Sequence, residues 1–282
     1  MDKFKNFLII ANEAKDPGLK WTKTVLVKLQ SKRANAALLM GNDLDGLTNN
    51  LEGIHCVIVM GGDGTMLRVA QALKGNTVPV IGVNLGVVGF MTEVVVSEID
   101  SMIDRLLSGD YMIEDRMMLS GKVISKNNTK TNTVDALNDI VLARENSLRL
   151  IAVRIEVNDK YFDTIEADGI IISTPTGSTS YNLSAGGPVV QPDAKLMVMT
   201  PISPYSMSKR SVVFGADDRI TLELVEKRKD SENIGLVSFD GANNFHMELG
   251  DKVEIGASEN IFRLVKFDEA SVYEILKKKI EN

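Results

Sequence analysis

A chain of 282 residues, 44% of them hydrophobic, is long enough to bury a sizeable core and to form two domains. Its net charge of −6 offers no broad basic excess to neutralise phosphates, which argues against nucleic acid as a partner. A single cysteine excludes an internal disulfide, and with only His55 and His246 beside it the chain is poorly equipped for a structural zinc site.

The chain begins with Lys3 and Lys5 ahead of Phe7-Leu8-Ile9-Ile10, an apolar run too short for a signal peptide that reads as a first strand over 7–11. No apolar run approaches the ~18 residues of a membrane span, so no membrane partner and a cytoplasmic location are expected. An amphipathic helix follows over 19–29, then strands over 36–40 and 54–60. Cys56 opens an apolar run and reads as an inert core thiol rather than a nucleophile.

Directly after Cys56-Val57-Ile58-Val59-Met60 stand Gly61-Gly62-Asp63-Gly64-Thr65. A tight turn at the carboxyl edge of a buried parallel strand is where open α/β sheets bind ligands. Glycine allows positive φ and lets a phosphate approach without a Cβ in the way. Met66, Leu67, Val69, Ala70 and Leu73 then keep helical spacing, so the free N–H groups of a helix start face the same place. A carboxylate repels phosphate, so Asp63 is either a helix cap or a base that takes a proton from a hydroxyl beside a phosphate.

A strand over 78–83 leads into a second glycine-bearing loop, Asn84 to Phe90. Ile99, Met102, Ile103, Leu106 and Leu107 then give a helical stripe with Ser97 as its cap and Gly109 as its stop. Strand–helix alternation of this kind makes a Rossmann-like α/β domain with a parallel sheet. The glycine spacing nevertheless fits neither Gly-x-Gly-x-x-Gly nor a P-loop.

From about Tyr111 short strands dominate: 119–124, 136–143, 150–157, 161–165, 170–173, 196–200, 211–214, 220–225, 236–239 and 253–255. Asn158-Asp159 suits a tight hairpin turn. A short helix is expected over 178–185. Val272, Ile275, Leu276 and Ile280 give a C-terminal helical stripe that returns to the first domain. The division expected is 1–115 with 260–282 as the α/β domain and 116–259 as a β-rich domain.

Asn138-Asp139 and Asp168-Gly169 put carboxylates at strand starts, as turn residues or as groups for a metal or a ribose hydroxyl. The segment 174–188, Thr-Pro-Thr-Gly-Ser-Thr-Ser-Tyr-Asn-Leu-Ser-Ala-Gly-Gly-Pro, is too polar for core and too patterned for a linker. It reads either as a Ser/Thr-rich loop with a capped helix or as a surface for a base and a sugar, Tyr181 offering a flat face.

In this order, Gly61 to Thr65, Asn84 to Phe90, Asn138-Asp139, Asp168-Gly169 and the 174–188 segment resemble the NAD kinase family over roughly residues 54–250. The first motif is shared with diacylglycerol and sphingosine kinases; the segment 174–188 is far more specific. The resemblance implies an α/β domain plus a β-rich NAD-binding domain. It also implies transfer of the γ-phosphoryl group of ATP to the 2′-hydroxyl of the adenosine ribose of NAD, with Mg²⁺ carried mainly by ATP. Asp63 would be the base; Gly61, Gly62, Gly64 and Thr65 would lie against phosphates. Asn138 and Asp139 would hydrogen-bond the ribose, Asp168 the nicotinamide end, and Phe90 would pack beside a ring. Thr179, Ser180, Tyr181, Asn182 and Ser184 would recognise adenine. Arg68 and Arg149 would reach phosphates, Arg149 across a subunit boundary of a homodimer or homotetramer. A lipid kinase of the same superfamily and a catalytically inactive NAD-binding module are the alternatives.

The chain departs from the family pattern at Asp139, where Glu is usual, at Tyr205, where His is usual, and at Ser211, where Pro is usual. The shorter Asp139 lengthens the reach to a ribose, and Tyr205 removes an imidazole.

Overall fold

Apolar runs alternate with amphipathic stretches through the first part of the chain, and the computed structural model turns them into alternating strands and helices. It describes residues 3–86, 89–92, 94–127, 133–145, 149–226 and 234–267. The described residues of Met1–Arg116 and Ile261–Asn282 form one compact unit, and those of Met117–Asn260 form another.

The first unit contains β1 (Asn6–Ala11), α1 (Lys20–Ser31), β2 (Asn35–Met40), β3 (Cys56–Met60), α2 (Asp63–Ala72), β4 (Val80–Asn84), β5 (Val94–Val95) and α3 (Ile99–Ser108). The five strands are parallel in the order β2-β1-β3-β4-β5. Every residue of β3 and β4 is buried, as expected for parallel strands covered on both faces. Phe7, Ile9, Ile58, Met60, Ile81 and Val83 pack with Val25 and Leu29 of α1 and with Met102, Ile103 and Leu106 of α3. The chain leaves β1 toward β2 and later returns to its other side as β3. The sheet order therefore reverses at β1 and β3, which opens a crevice at their carboxyl ends.

Gly109, at φ 85, terminates α3 in the left-handed conformation that glycine adopts without strain. Ser97 does not cap that helix. It lies inside a 3₁₀ turn, Val96–Glu98, that runs straight into α3, and the Glu98 carboxylate accepts the Val95 N–H at 3.1 Å instead.

β6 (Met112–Ile124) carries the chain into the second unit. There follow β7 (Val134–Ala136), β8 (Asp139–Arg144), β9 (Ile151–Val157), β10 (Lys160–Ala167), β11 (Gly169–Ser173), α4 (Tyr181–Ser184), β12 (Leu196–Ile202), β13 (Val212–Gly215), β14 (Ile220–Val225), β15 (Gly235–Phe239), β16 (Asn243–Met247) and β17 (Lys252–Lys266). One sheet is antiparallel throughout, in the order β13-β12-β11-β8-β15-β16. Strands β10, β9, β14 and the start of β17 form a second antiparallel set. Ile140, Ile170, Met197 and Val237 of the first meet Val153, Ile155, Leu222 and Val253 of the second in one core. That is sheet-on-sheet packing, with apolar side chains of both inner faces excluded from water together.

The hairpin turn at Asn158 and Asp159 has both residues at positive φ, 52 and 62, the geometry that matches strand twist. The strand expected over 136–143 is two, β7 and β8, broken at Leu137-Asn138. The expected C-terminal stripe of Val272, Ile275, Leu276 and Ile280 lies outside the described residues.

Candidate active site

In the first unit the site is built at the crevice between the carboxyl ends of β1 and β3. β3 ends at Met60, Gly61 and Gly62 turn the chain, and α2 starts at Asp63. Asn12, just past β1, donates from Nδ2 to Thr65 Oγ1 at 2.9 Å and so ties the two strand ends together. Gly61 has no room for a side chain, because a Cβ there would lie 2.5 Å from Thr65 Oγ1. Gly62 and Gly64 are different: a Cβ at either would meet nothing within 4 Å. The fold itself therefore leaves space above these two glycines that a phosphate can enter, beside the N–H groups of the α2 start.

The Asp63 side chain turns toward the loop after β4. Its Oδ2 accepts the Phe90 N–H at 2.9 Å and its Oδ1 accepts the Met91 N–H at 3.1 Å. Gly89 sits against this carboxylate, where a Cβ would lie 2.6 Å from Oδ2 and closer still to Cγ and Oδ1. Thr92 braces the loop by accepting the Gly89 N–H at 3.2 Å and the Asn84 Nδ2–H at 3.2 Å. An ionised carboxylate offers about four lone-pair directions, so two N–H donors fix the group and leave acceptor capacity for a hydroxyl. Asp63 does not cap α2, since the cap position is Gly62 and has no side-chain bond. Arg68, one turn into α2 and exposed, makes a long 3.4 Å bond from Nη1 to the Gly41 carbonyl at the end of β2. It stands on the same carboxyl edge. Val87 and Val88 of the loop lie outside the described residues.

In the second unit Asn138 and Asp139 are both buried, each 6% exposed. The Asp240 carboxylate accepts three backbone N–H groups around them: Leu137 at 2.8 Å, Asn138 at 2.7 Å and Asp139 at 3.2 Å. Asn138 Nδ2 donates to Ser180 Oγ at 3.0 Å, while its Oδ1 is buried without a hydrogen-bond partner. A buried unpaired acceptor costs free energy that a donor on a ligand would recover. Burial, and after it the nearby Asp240 charge, push the Asp139 carboxyl up to about 7.

The 174–188 segment packs against the same two residues. Thr174 N–H donates to the Asn138 carbonyl at 2.8 Å and Thr174 Oγ1 to the Leu137 carbonyl at 2.6 Å. Gly177 must be glycine, since a Cβ would come within 2.7 Å of Asn138 Cα. Asn182 is fully buried and is the clasp of the segment. Its Nδ2 donates to the Ser178 and Pro188 carbonyls at 3.1 and 3.0 Å, and its Oδ1 accepts from Thr200 Oγ1 at 2.7 Å. Tyr181 and Ser184 are exposed, and Thr179 and Ser180 are part-exposed, so these four rather than Asn182 present polar and flat surface.

Asp168 is paired: Arg144 Nε donates to its Oδ1 at 2.7 Å with both side chains partly shielded. Arg149 is exposed. Tyr205 is 76% exposed, with its N–H on the Glu166 carbonyl at 2.8 Å. Within each unit, then, the expected residues assemble: Asp63 with Gly61, Thr65 and Phe90 in the first, Asn138 with Asp139 and Ser180 in the second. Asp240, Arg144 and Asn12 escaped the sequence reading. Only the Asp240-Gly241 turn pair carries a local signal, and it announces a turn rather than a site.

Residues 11–111 match the family model for the ATP-NAD kinase N-terminal domain, and residues 137–267 match that for the ATP-NAD kinase C-terminal domain. An NAD kinase of Agathobacter rectalis is 36% identical over 285 residues, covering 99% of this chain and 99% of that protein. One from Lachnospira eligens is 37% identical over 296 residues, covering 98% and 100%.

The chain belongs to the NAD kinase family.

Among solved structures, yeast NADH kinase complexed with NADH aligns with a TM-score of 0.88 at 20% identity, over 99% of this chain and 88% of that one. An NAD kinase from Archaeoglobus fulgidus in complex with ATP aligns with a TM-score of 0.77 at 24% identity, over 98% of each. The two-part fold, a parallel α/β unit and an antiparallel β unit, is thus that of NAD kinases. The region matched to the N-terminal kinase domain holds Asp63 and its loop. The region matched to the C-terminal domain holds Asn138, Asp139, Asp168, Asp240 and the 174–188 segment. Among the described residues no group of three His, Cys, Asp or Glu side chains could hold a metal ion. No helix among them is long and apolar enough to cross a membrane.

Proposed function

We propose that the chain transfers the γ-phosphoryl group of ATP to the 2′-hydroxyl of the adenosine ribose of NAD, releasing ADP and NADP. The observation that carries this reading is the Asp63 carboxylate, fixed by two backbone N–H donors at the carboxyl edge of a parallel sheet beside two open glycines. In the transfer the 2′-oxygen bonds to the γ-phosphorus, the bond from phosphorus to the bridging oxygen breaks, and Asp63 takes the hydroxyl proton. ATP enters as its Mg²⁺ complex, the ion offsetting phosphate charge. The phosphates of ATP are its main ligands.

Phosphoryl transfer depends mainly on position and charge, and the remaining residues supply both. Gly61, Gly62, Gly64 and Thr65 line the phosphate path, and Arg68 and Arg149 reach substrate phosphates. Asn138 Oδ1, buried and unfilled, accepts from a ribose hydroxyl. Asp139, whose carboxyl burial pushes up to about 7, hydrogen-bonds the ribose beside it. Asp168 contacts the nicotinamide end, Phe90 packs beside a ring, and Tyr181 with Thr179, Ser180 and Ser184 recognises adenine. The same reading places the protein in the cytoplasm as a homodimer or homotetramer, which cell fractionation and light scattering test.

An NADP-formation assay with ATP, other nucleoside triphosphates and polyphosphate as donors, and with NAD and NADH as acceptors, tests the assignment. ATP-dependent NADP formation is expected. NAD binding without turnover, or phosphorylation of a lipid hydroxyl with none of NAD, would refute it.

A further inference from the structure

Asp240 occupies the turn between β15 and β16. Ala242 N–H donates to the Phe239 carbonyl at 3.0 Å, and Asp240 and Gly241 both have positive φ, 51 and 71. That turn needs no carboxylate, since asparagine or glycine adopts the same left-handed backbone more readily than most residues. The carboxylate is spent elsewhere, on three N–H groups that lie about a hundred residues earlier in the chain: Leu137, Asn138 and Asp139. In return the Asp240 N–H donates to the Asp139 carbonyl at 3.0 Å. These four bonds break the strand that the sequence pattern would otherwise continue from β7 into β8. They stop it at two residues whose side chains are buried, Asn138 and Asp139, the first with its Oδ1 left without a hydrogen-bond partner.

We infer that Asp240 is a positioning residue for the NAD subsite, holding the Asn138-Asp139 backbone so that both side chains are presented to the dinucleotide. The inference rests on the reading that Asn138 and Asp139 contact NAD. Charge-assisted bonds to backbone N–H groups are among the stronger hydrogen bonds, and three converging on one carboxylate leave the pair little freedom. Other supports are the Thr174 N–H and the Ser173 Oγ on the Asn138 carbonyl, the Thr174 Oγ1 on the Leu137 carbonyl and the close approach of Gly177 to the Asn138 backbone. These come from the end of β11 and the 174–188 segment that follows it. Asp240 is the support on the opposite chain neighbour, β15, which pairs with β8.

The test compares Asp240→Ala and Asp240→Asn by steady-state kinetics with NAD and ATP varied separately. Asp240→Ala removes all three acceptor bonds and should raise the KM for NAD about 10-fold or more, with kcat and the KM for ATP within about twofold. Asp240→Asn keeps a carbonyl oxygen for the Asn138 and Asp139 N–H groups and should show a smaller rise, a partial rescue that also serves if the alanine variant does not fold. A residue that only stabilises the fold would instead lower the active fraction, reducing kcat with both KM values unchanged, and that result overturns the inference. Asn138→Ala and Asp139→Asn serve as reference variants. If they leave the KM for NAD unchanged, the assignment of the pair to NAD fails. If they raise it while both Asp240 variants do not, only the positioning role fails.

Discussion

Replacing Gly89 with alanine tests how Asp63 is held. An alanine there acts through its methyl. That methyl would sit 2.6 Å from Asp63 Oδ2 and nearer to Cγ and Oδ1, whereas ordinary van der Waals contact begins at 3.4 Å. Oδ1 is the nearest atom, so the carboxylate or the loop must retreat by more than about 1 Å, and a misplacement of that size costs about 10²-fold or more in a reaction governed by position. Converted to a barrier, that is about 2.7 kcal/mol. The assay is kcat for NADP formation at saturating ATP and NAD, beside the thermal midpoint and the NAD affinity by calorimetry. A fall of about 10²-fold in kcat is expected, and the thermal midpoint shows what fraction of it comes from lost folded protein. If Gly89→Ala turns over within about threefold of the parent, the carboxylate is not confined by this loop and the reasoning is wrong.

Two further outcomes follow from the second unit. Burial, with Asp240 behind it, raises Asp139 in the folded chain from 3.8 to about 7, so the folded state holds this proton more tightly than the unfolded state. The group costs nothing below the unfolded value, and stability is lost as pH rises through the window up to about 7. The loss is on the order of 4 kcal/mol over the whole window and about 3 kcal/mol between about pH 5 and about pH 8, and Asp139→Asn should flatten it; unfolding free energies from urea titrations at these two pH values that fall equally in parent and variant would contradict this. Arg144→Ala removes the partner that orients Asp168, a partly shielded pair worth about 1 kcal/mol, and should raise the KM for NAD about fivefold at nearly constant kcat. An unchanged KM would detach this pair from the substrate.

The parallel unit was the most legible part of the sequence. Strands β1 to β4 are five- or six-residue runs rich in apolar residues, and the burial of all five residues in β3 and in β4 is the reason those two are apolar throughout, whereas the two-residue β5 left no such run. The glycine loop was legible because strand, glycines and helix start adjoin one another. The Asn158-Asp159 turn was legible because its residue types tolerate the left-handed backbone it adopts. Illegible features depend on distant partners. β16 is polar, Asn243–Met247, and exists by pairing with β15 at the edge of its sheet. The break between β7 and β8 is imposed by Asp240, far along the chain. β17 is 15 residues long, but beyond Ile255 its burial alternates irregularly, so only the 253–255 core was visible. At the site, Asp63 could be nominated, yet its two N–H donors from Phe90 and Met91 could not. Asn182 was placed with the adenine-facing residues by resemblance, and its amide proves to be spent inside the segment.

The most direct test of the account is the turnover of Asp63→Asn at saturating ATP and NAD. The amide keeps the size of the side chain but cannot take the 2′-hydroxyl proton, so kcat should fall by about 10²-fold or more while NAD affinity by calorimetry changes little. Near-parental turnover would mean that Asp63 is not the base, and the role assigned to the glycine turn would go with it.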